Sequence, residues 1–430
     1  MKSVISFLLV LILWIGKSRA QMHCCAAEFT TDVQHLFPRL NDHETLQKLK
    51  FSIQNSIGTP QVKEIRVPVV FHIIISDPST ITMDLINSQI EVLNEDFSGK
   101  NPDISQVPDC FKKDLAGDTK IRFYLKDVKT RATPQTFIIG NLSSGKTRTE
   151  ITDPIRTYST GGLDAISPAT ILNIWVGNIK MSGEFGEEEE LQGYALMPPA
   201  PLNLSGVVIN ARNFGRLYSV NNNYNLGRVC THEVGHYFGL QHIFGDVSTC
   251  TDDNIDDTPI QYDANVVCRT GTYASCKNDG DMYMNYMDYT PDACKYMFTK
   301  GQAQKMHQVI SAFYPFYLIW DKNAPWNLEM LQELIYVKNI SQYQNKAVVE
   351  FSTSHPGDIT DIYIRKLSDG SWQLHHTADS SFNAQGLEPG EIYEIKLKSG
   401  KNNEGFKDFP STYFLTEAAK FTDGHQMEIN

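Results

Sequence analysis

Basic charge is scarce in this chain: 38 Lys and Arg face 50 Asp and Glu, a formal net charge of −12 with a pI near 5.5. That balance argues against nucleic acid as a partner, because phosphate binding needs a basic surface. Long apolar runs are equally scarce. Only Val4–Ile15 is continuous, and it falls short of the roughly 20 residues a spanning helix needs, so no membrane span is expected. No Cys-x-x-Cys pair occurs among the eight cysteines, which argues against a structural zinc. No lipobox precedes Cys24.

What is present at the start is a charged head at Lys2, the apolar run, and Lys17-Ser18-Arg19-Ala20. This is the grammar of a signal peptide over residues 1–20, cleaved after Ala20, and it implies export to an extracellular, oxidising compartment. Cysteine usage fits. Cys250, Cys268, Cys276 and Cys294 crowd a stretch rich in Asp, Asn, Gly and Thr, which cannot hold itself by burial and would be held by disulfides. Four cysteines allow three connectivities.

The most informative segment is His232-Glu233-Val234-Gly235-His236-Tyr237-Phe238-Gly239-Leu240-Gln241-His242. His232 and His236 stand four apart, so on a helix both imidazoles project from one face and can share a metal. Glu233 is set beside that metal rather than on it, where its carboxylate acts as general base. Gly239 permits a sharp turn with φ > 0, which brings His242 back as a third nitrogen. Three neutral imidazoles leave the fourth position of a tetrahedral zinc open for water, the arrangement of catalytic rather than structural zinc.

Downstream lie Asp256-Asp257-Thr258-Pro259 and Asn285-Tyr286-Met287-Asp288-Tyr289, followed by Cys294. Together with the histidine motif, and with Leu172–Val176 and Gly193-Tyr194-Ala195 upstream, these resemble the pappalysin family of metzincin zinc metallopeptidases over about residues 65–315. The resemblance implies a zinc-dependent endopeptidase acting on protein or peptide substrates. Met287 would be the methionine of a tight turn beneath the metal. Tyr289 would face the metal as a second catalytic residue, its hydroxyl stabilising an oxyanion. The implied disulfides are Cys250–Cys276 and Cys268–Cys294. Asp252, Asp253, Asp256, Asp257 and Thr258 offer the oxygen ligands a hard cation prefers, and the resemblance places calcium near Asp257 and Thr258, with Asp252 a further ligand; the same residue types also cap helices and form turns. An acidic residue near the methionine turn would select Arg or Lys after the scissile bond. Asp292 is the candidate, with an ordinary Pro-Asp turn as the other reading.

Residues 21–63 are polar and resemble a pro-segment. Cys24 or Cys25 would cap the zinc of a zymogen as thiolate, or pair with Cys110 or Cys230. Residues 64–322 are expected to form an α/β catalytic domain with a twisted, mostly parallel sheet and the motif helix from about Tyr224 to Gly239. Glu187–Glu190 reads as a solvated loop, or as a rim attracting basic substrates. From 323 to 430 the pattern changes to short strands. Leu387-Glu388-Pro389-Gly390-Glu391-Ile392-Tyr393 resembles the tyrosine corner of a fibronectin type III β-sandwich, although Leu328–Val337 reads equally as helix or strand. The chain is expected to be a monomer. The competing function is an adhesion or binding protein whose sandwich is the working part, against which the intact Glu233 argues.

Overall fold

The computed structural model describes residues 64–416 apart from 141–152, 183–187, 199, 201–203, 217–222, 246–248, 315–316, 318–335, 344, 353–358, 369–370 and 400–411. The expected signal peptide and pro-segment, with Cys24 and Cys25, lie outside the described residues.

The strands are β1 (Ile65–Ile75), β2 (Ile121–Ala132), β3 (Phe137–Gly140), β4 (Leu172–Gly177), β5 (Ile179–Ser182), β6 (Glu188–Glu190), β7 (Gly193–Ala195) and β8 (Val207–Asn210). The main sheet runs β2-β1-β4-β8-β7; its first four strands are parallel and β7 is an antiparallel edge. β1 is apolar on both faces and almost wholly buried, as a central parallel strand must be. Helix α1 (Met83–Ser98) begins where the Thr82 side chain accepts from Leu85 N and ends at Gly99 with φ +63°. It buries Ile86, Leu93 and Phe97 against Phe123 of β2 and against Val229 and Val234, which lie on a later helix.

A short helix, α2 (Asp109–Lys112), follows α1. The motif helix α3 covers Arg228–Tyr237, shorter at its start than the sequence suggested, because Gly227 at φ +82° is its non-helical cap. Helix α4 (Lys300–Phe313) opens with a capping box between Thr299 and Gln302. A second apolar cluster, around Trp175, Tyr194 and Val208, fills the opposite face of the sheet. The acidic run is not a loop: Glu188–Glu190 forms β6, antiparallel to β5 in a small β3-β5-β6 sheet that the sequence pattern did not reveal.

The C-terminal part has strands β9 (Tyr336–Gln342), β10 (Lys346–Ser352), β11 (Thr360–Lys366), β12 (Gln373–Thr377), β13 (Ser381–Gln385), β14 (Ile392–Ser399) and β15 (Thr412–Leu415). They form two antiparallel sheets, β13-β10-β9 and β12-β11-β14-β15, that share one apolar core. The ambiguity near residue 337 resolves as strand from Tyr336 onward. The tyrosine corner is formed: Glu388 N donates to the Tyr393 hydroxyl at 2.9 Å. Leu367 and Ile392 belong to the Trp175 cluster, so the sandwich packs against the α/β part of the chain.

Candidate metal centre

Helix α3 carries His232, Glu233 and His236, all buried. After it, Gly239 adopts φ +83° and the chain reverses, bringing the buried His242 back. The three Nε2 atoms converge: His232 to His236 at 3.1 Å, His232 to His242 at 3.2 Å and His236 to His242 at 3.0 Å. The Nδ1–H of His232 donates to Tyr286 O and that of His236 to Leu240 O, each at 2.7 Å. With their protons committed there, these two rings turn bare lone pairs toward each other, which needs a cation between them. Burial, then the neighbouring His236, Lys295 and His242, push the His232 pKa well below its ordinary value, keeping it neutral as a ligand must be. Zinc–nitrogen distances of about 2.0–2.1 Å imply tetrahedral edges of roughly 3.3 Å, close to the spacing here. Among the described residues this is the only convergent group of three or more His, Cys, Asp or Glu side chains. The donor set fits zinc.

Two glycines make room around it. A Cβ at Gly193 on the edge strand β7 would lie 2.9 Å from Glu233 Cγ and 3.0 Å from Val208 O. A Cβ at Gly235 would collide with Met287 Sδ. Met287 is fully buried beneath α3, its N–H donating to Asn285 Oδ1 at 2.9 Å. Tyr289 is half-buried, its ring 4.8 Å from that of His242 and 5.8 Å from that of His232. The sequence motif thus gathers Glu233, the three histidines, Met287 and Tyr289 in one place.

A family model described as pregnancy-associated plasma protein-A, of the M43 peptidases, matches residues 164–311. Mature mirolysin of Tannerella forsythia, solved with a cleaved peptide, is 34% identical; the alignment covers 60% of this chain and 99% of that one, with a TM-score of 0.50. A promirolysin mutant from the same organism is 32% identical, covering 68% of this chain and 95% of that one, with a TM-score of 0.55. The chain belongs to the pappalysin family. Among curated relatives, an extracellular metalloprotease of Arthroderma benhamiae is 28% identical over 280 residues, 63% of this chain and 80% of that protein. Another, from Arthroderma otae, is 44% identical over 93 residues; the match spans 34% of its length.

The remaining candidate residues of the described part lie mostly between the third histidine and α4. Both expected disulfides are formed, Cys250–Cys276 and Cys268–Cys294. Cys110 and Cys230 are in no disulfide among the described residues; the first is exposed and the second buried in α3. Asp252 is exposed and accepts from Asn254 N at 2.8 Å, a local turn. Asp253 is buried and accepts from the Thr258 hydroxyl at 2.6 Å, and burial raises its carboxyl to about 7. Asp257 Oδ2 accepts from Gly301 N at 2.8 Å, at the start of α4. No three carboxylates converge there among the described residues. Asp292 is not the solvated turn residue its Pro-Asp context suggests. It is fully buried, and its Oδ2 accepts from Leu226 N at 2.9 Å and Arg228 N at 3.2 Å, at the entry to α3.

Sequence reasoning assigned no role to Gly235 or to the Asp96 carboxylate, read Gly193 only as part of a strand, and set Asp288 aside in favour of Asp292. Asp288 is buried and takes hydrogen bonds from Gln261, from both nitrogens of Asn265 and from Tyr289 N, tying the disulfide-bonded stretch to the methionine turn. An acidic residue inside the methionine motif was the available signal.

Proposed function

We propose that this chain is a secreted, zinc-dependent endopeptidase made as a zymogen, with residues 21–63 as pro-segment, 64–322 as catalytic domain and 323–430 as sandwich. The observation that carries it is the buried Nε2 tripod with Glu233 beside it, held against an edge strand that has a glycine where a side chain would intrude. Zinc bound there supplies Lewis-acid polarisation of the scissile carbonyl and a water acidified toward neutrality. Glu233 accepts the proton of the attacking water on its carboxylate and delivers it to the departing amine nitrogen. The Tyr289 hydroxyl donates to the oxyanion as it develops. His232 and His236 are oriented by their Nδ1–H bonds to backbone carbonyls, so the tripod needs little rearrangement to hold its ion.

The extracellular names of the curated relatives and the signal peptide both support export. Promirolysin, by its name a precursor of mirolysin, supports a pro-segment. Lys63 and Arg66 are the basic residues at the end of the pro-segment; Ile65 N donates to Lys120 O at 2.8 Å and the Arg66 side chain is only 11% exposed, so Lys63 is the better point for cleavage. Whether Cys24 or Cys25 supplies the cap is decided by comparing the basal activity of full-length serine variants.

Glu233→Gln should retain stoichiometric zinc and lose about two to four orders of magnitude in peptide hydrolysis. A zinc-replete variant with wild-type turnover would reject the assignment.

Calcium is the second cofactor in this reading. Its support is a pair of buried carboxylate oxygens, Asp253 Oδ2 and Asp257 Oδ1, that have no hydrogen-bond partner. Asp292 is the proposed selector of Arg or Lys after the scissile bond. Oδ2 is committed to the α3 entry, but Oδ1 is buried with no hydrogen-bond partner and so suits a guanidinium. Lys295 is also buried, and its charge lowers the Asp292 pKa against the larger effect of burial. Mapping of cleavage sites on a denatured proteome tests the pocket: cuts before Arg and Lys, lost in Asp292→Ala, support it, and cuts before apolar residues reject it.

A further inference from the structure

The two helix-borne ligands are oriented in different ways. His236 Nδ1 donates to Leu240 O, a carbonyl of its own turn four residues on. His232 Nδ1 donates to Tyr286 O, 54 residues away in the methionine turn. The first acceptor follows from local backbone geometry. The second is in place only if something fixes Tyr286 against α3.

That something is on α1. Asp96 Oδ1 accepts from the Tyr286 hydroxyl at 2.8 Å, and Asp96 Oδ2 accepts from the hydroxyl of Thr231, the neighbour of His232, at 2.7 Å. Arg228, one turn before His232, reaches Asp96 at 3.5 Å, is gripped by both oxygens of Asp103 at 2.5 and 2.6 Å, and donates to Asp292 O at 2.8 Å. Asp96 is 4% exposed, and Tyr286 and Thr231 are fully buried, so none of these hydroxyls has water as an alternative acceptor. One carboxylate therefore joins the helix that carries His232 to the residue whose carbonyl aims its ring.

We infer that Asp96 is a positioning residue for the metal centre, acting on His232 through the Tyr286 hydroxyl. The inference rests on reading the tripod as zinc ligands. Groups that orient metal-bound histidines typically contribute 10- to 100-fold in metal affinity.

The test uses the full chain with Asp96→Asn, Tyr286→Phe and the double variant. Zinc affinity is measured by competition with a chelator of known affinity, the visible spectrum of the cobalt(II)-loaded protein is recorded, and melting of the metal-free protein is followed in parallel. Tyr286→Phe keeps the carbonyl and the ring and removes only the hydroxyl, so it reports even if Asp96→Asn fails to fold. Each single variant should weaken zinc binding about tenfold or more and shift the cobalt bands, and the double variant should cost no more than the worse single one. Zinc affinity within twofold of wild type, with only melting lowered, would overturn the inference and leave Asp96 as scaffold. Additive losses would overturn the route through Tyr286. A wild-type chain that takes up no zinc would overturn the tripod reading and this inference with it.

Discussion

Gly235 and Met287 are in contact through the one face of α3 that has no side chain, with the Met287 sulfur occupying the space a Cβ at 235 would fill. In an exposed helix interior, Gly→Ala stabilises by about 1 kcal/mol. Here the sign should reverse. Overpacking a filled core costs about 1–3 kcal/mol, so Gly235→Ala should lower the denaturation midpoint. In a Met287→Ala background the same substitution should become neutral or favourable. A stabilised Gly235→Ala single variant would show that Met287 moves aside freely.

Gly193 stands in the same relation to the proposed base. Val208 O is backbone of the neighbouring strand β8 and cannot yield, so Gly193→Ala must displace Glu233 instead. A misplacement of about 1 Å costs on the order of 100-fold in rate. Turnover should fall by that order while zinc content and KM stay near wild type. A parallel loss of zinc would place the damage in the tripod.

Calcium at the 252–258 loop should be visible in melting. An ion bound only by the native state stabilises by about 2.7 kcal/mol at one hundred times its Kd. Millimolar calcium should raise the Tm of the wild type, and Asp257→Asn should lose most of that increment. Superimposable melting curves with and without calcium would remove the ion from this loop.

His72 gives a pH dependence with a defined sign. It is fully buried, stacked on Trp175 and hydrogen-bonded to Asn173, and burial lowers its pKa from 6.5 to about 4. The unfolded chain takes up that proton below pH 6.5 while the folded one does not until pH falls to about 4. Stability from this residue is therefore complete above pH 6.5 and is lost across that window, about 2 kcal/mol between pH 7.5 and 5. His72→Phe retains the stack and cannot titrate. The difference between the two unfolding free energies should shift by that amount between pH 7.5 and 5, and a constant difference would refute the assignment.

The sequence by itself determined the centre's ligands because their placement is local. Spacing on one helix turn fixes His232 and His236, and a glycine with φ > 0 fixes the return of His242, so no distant contact is needed to read them. The parallel sheet was equally legible from apolar strands such as Ile65–Ile75, and the tyrosine corner from seven residues around Tyr393. Local propensity is a poor guide where pairing partners lie far away. It gave Glu188–Glu190 as loop, whereas strand β5 recruits it into a sheet. It offered an ordinary turn as the second reading of Asp292, whereas the entry to α3 draws its carboxylate inward. Asp96 has no motif at all: a single acid on an amphipathic helix becomes significant only when folding brings Thr231 and Tyr286, 135 and 190 residues away, onto its two oxygens. Hydrogen bonds between residues so far apart follow from how the elements pack, and only the tertiary structure decides that.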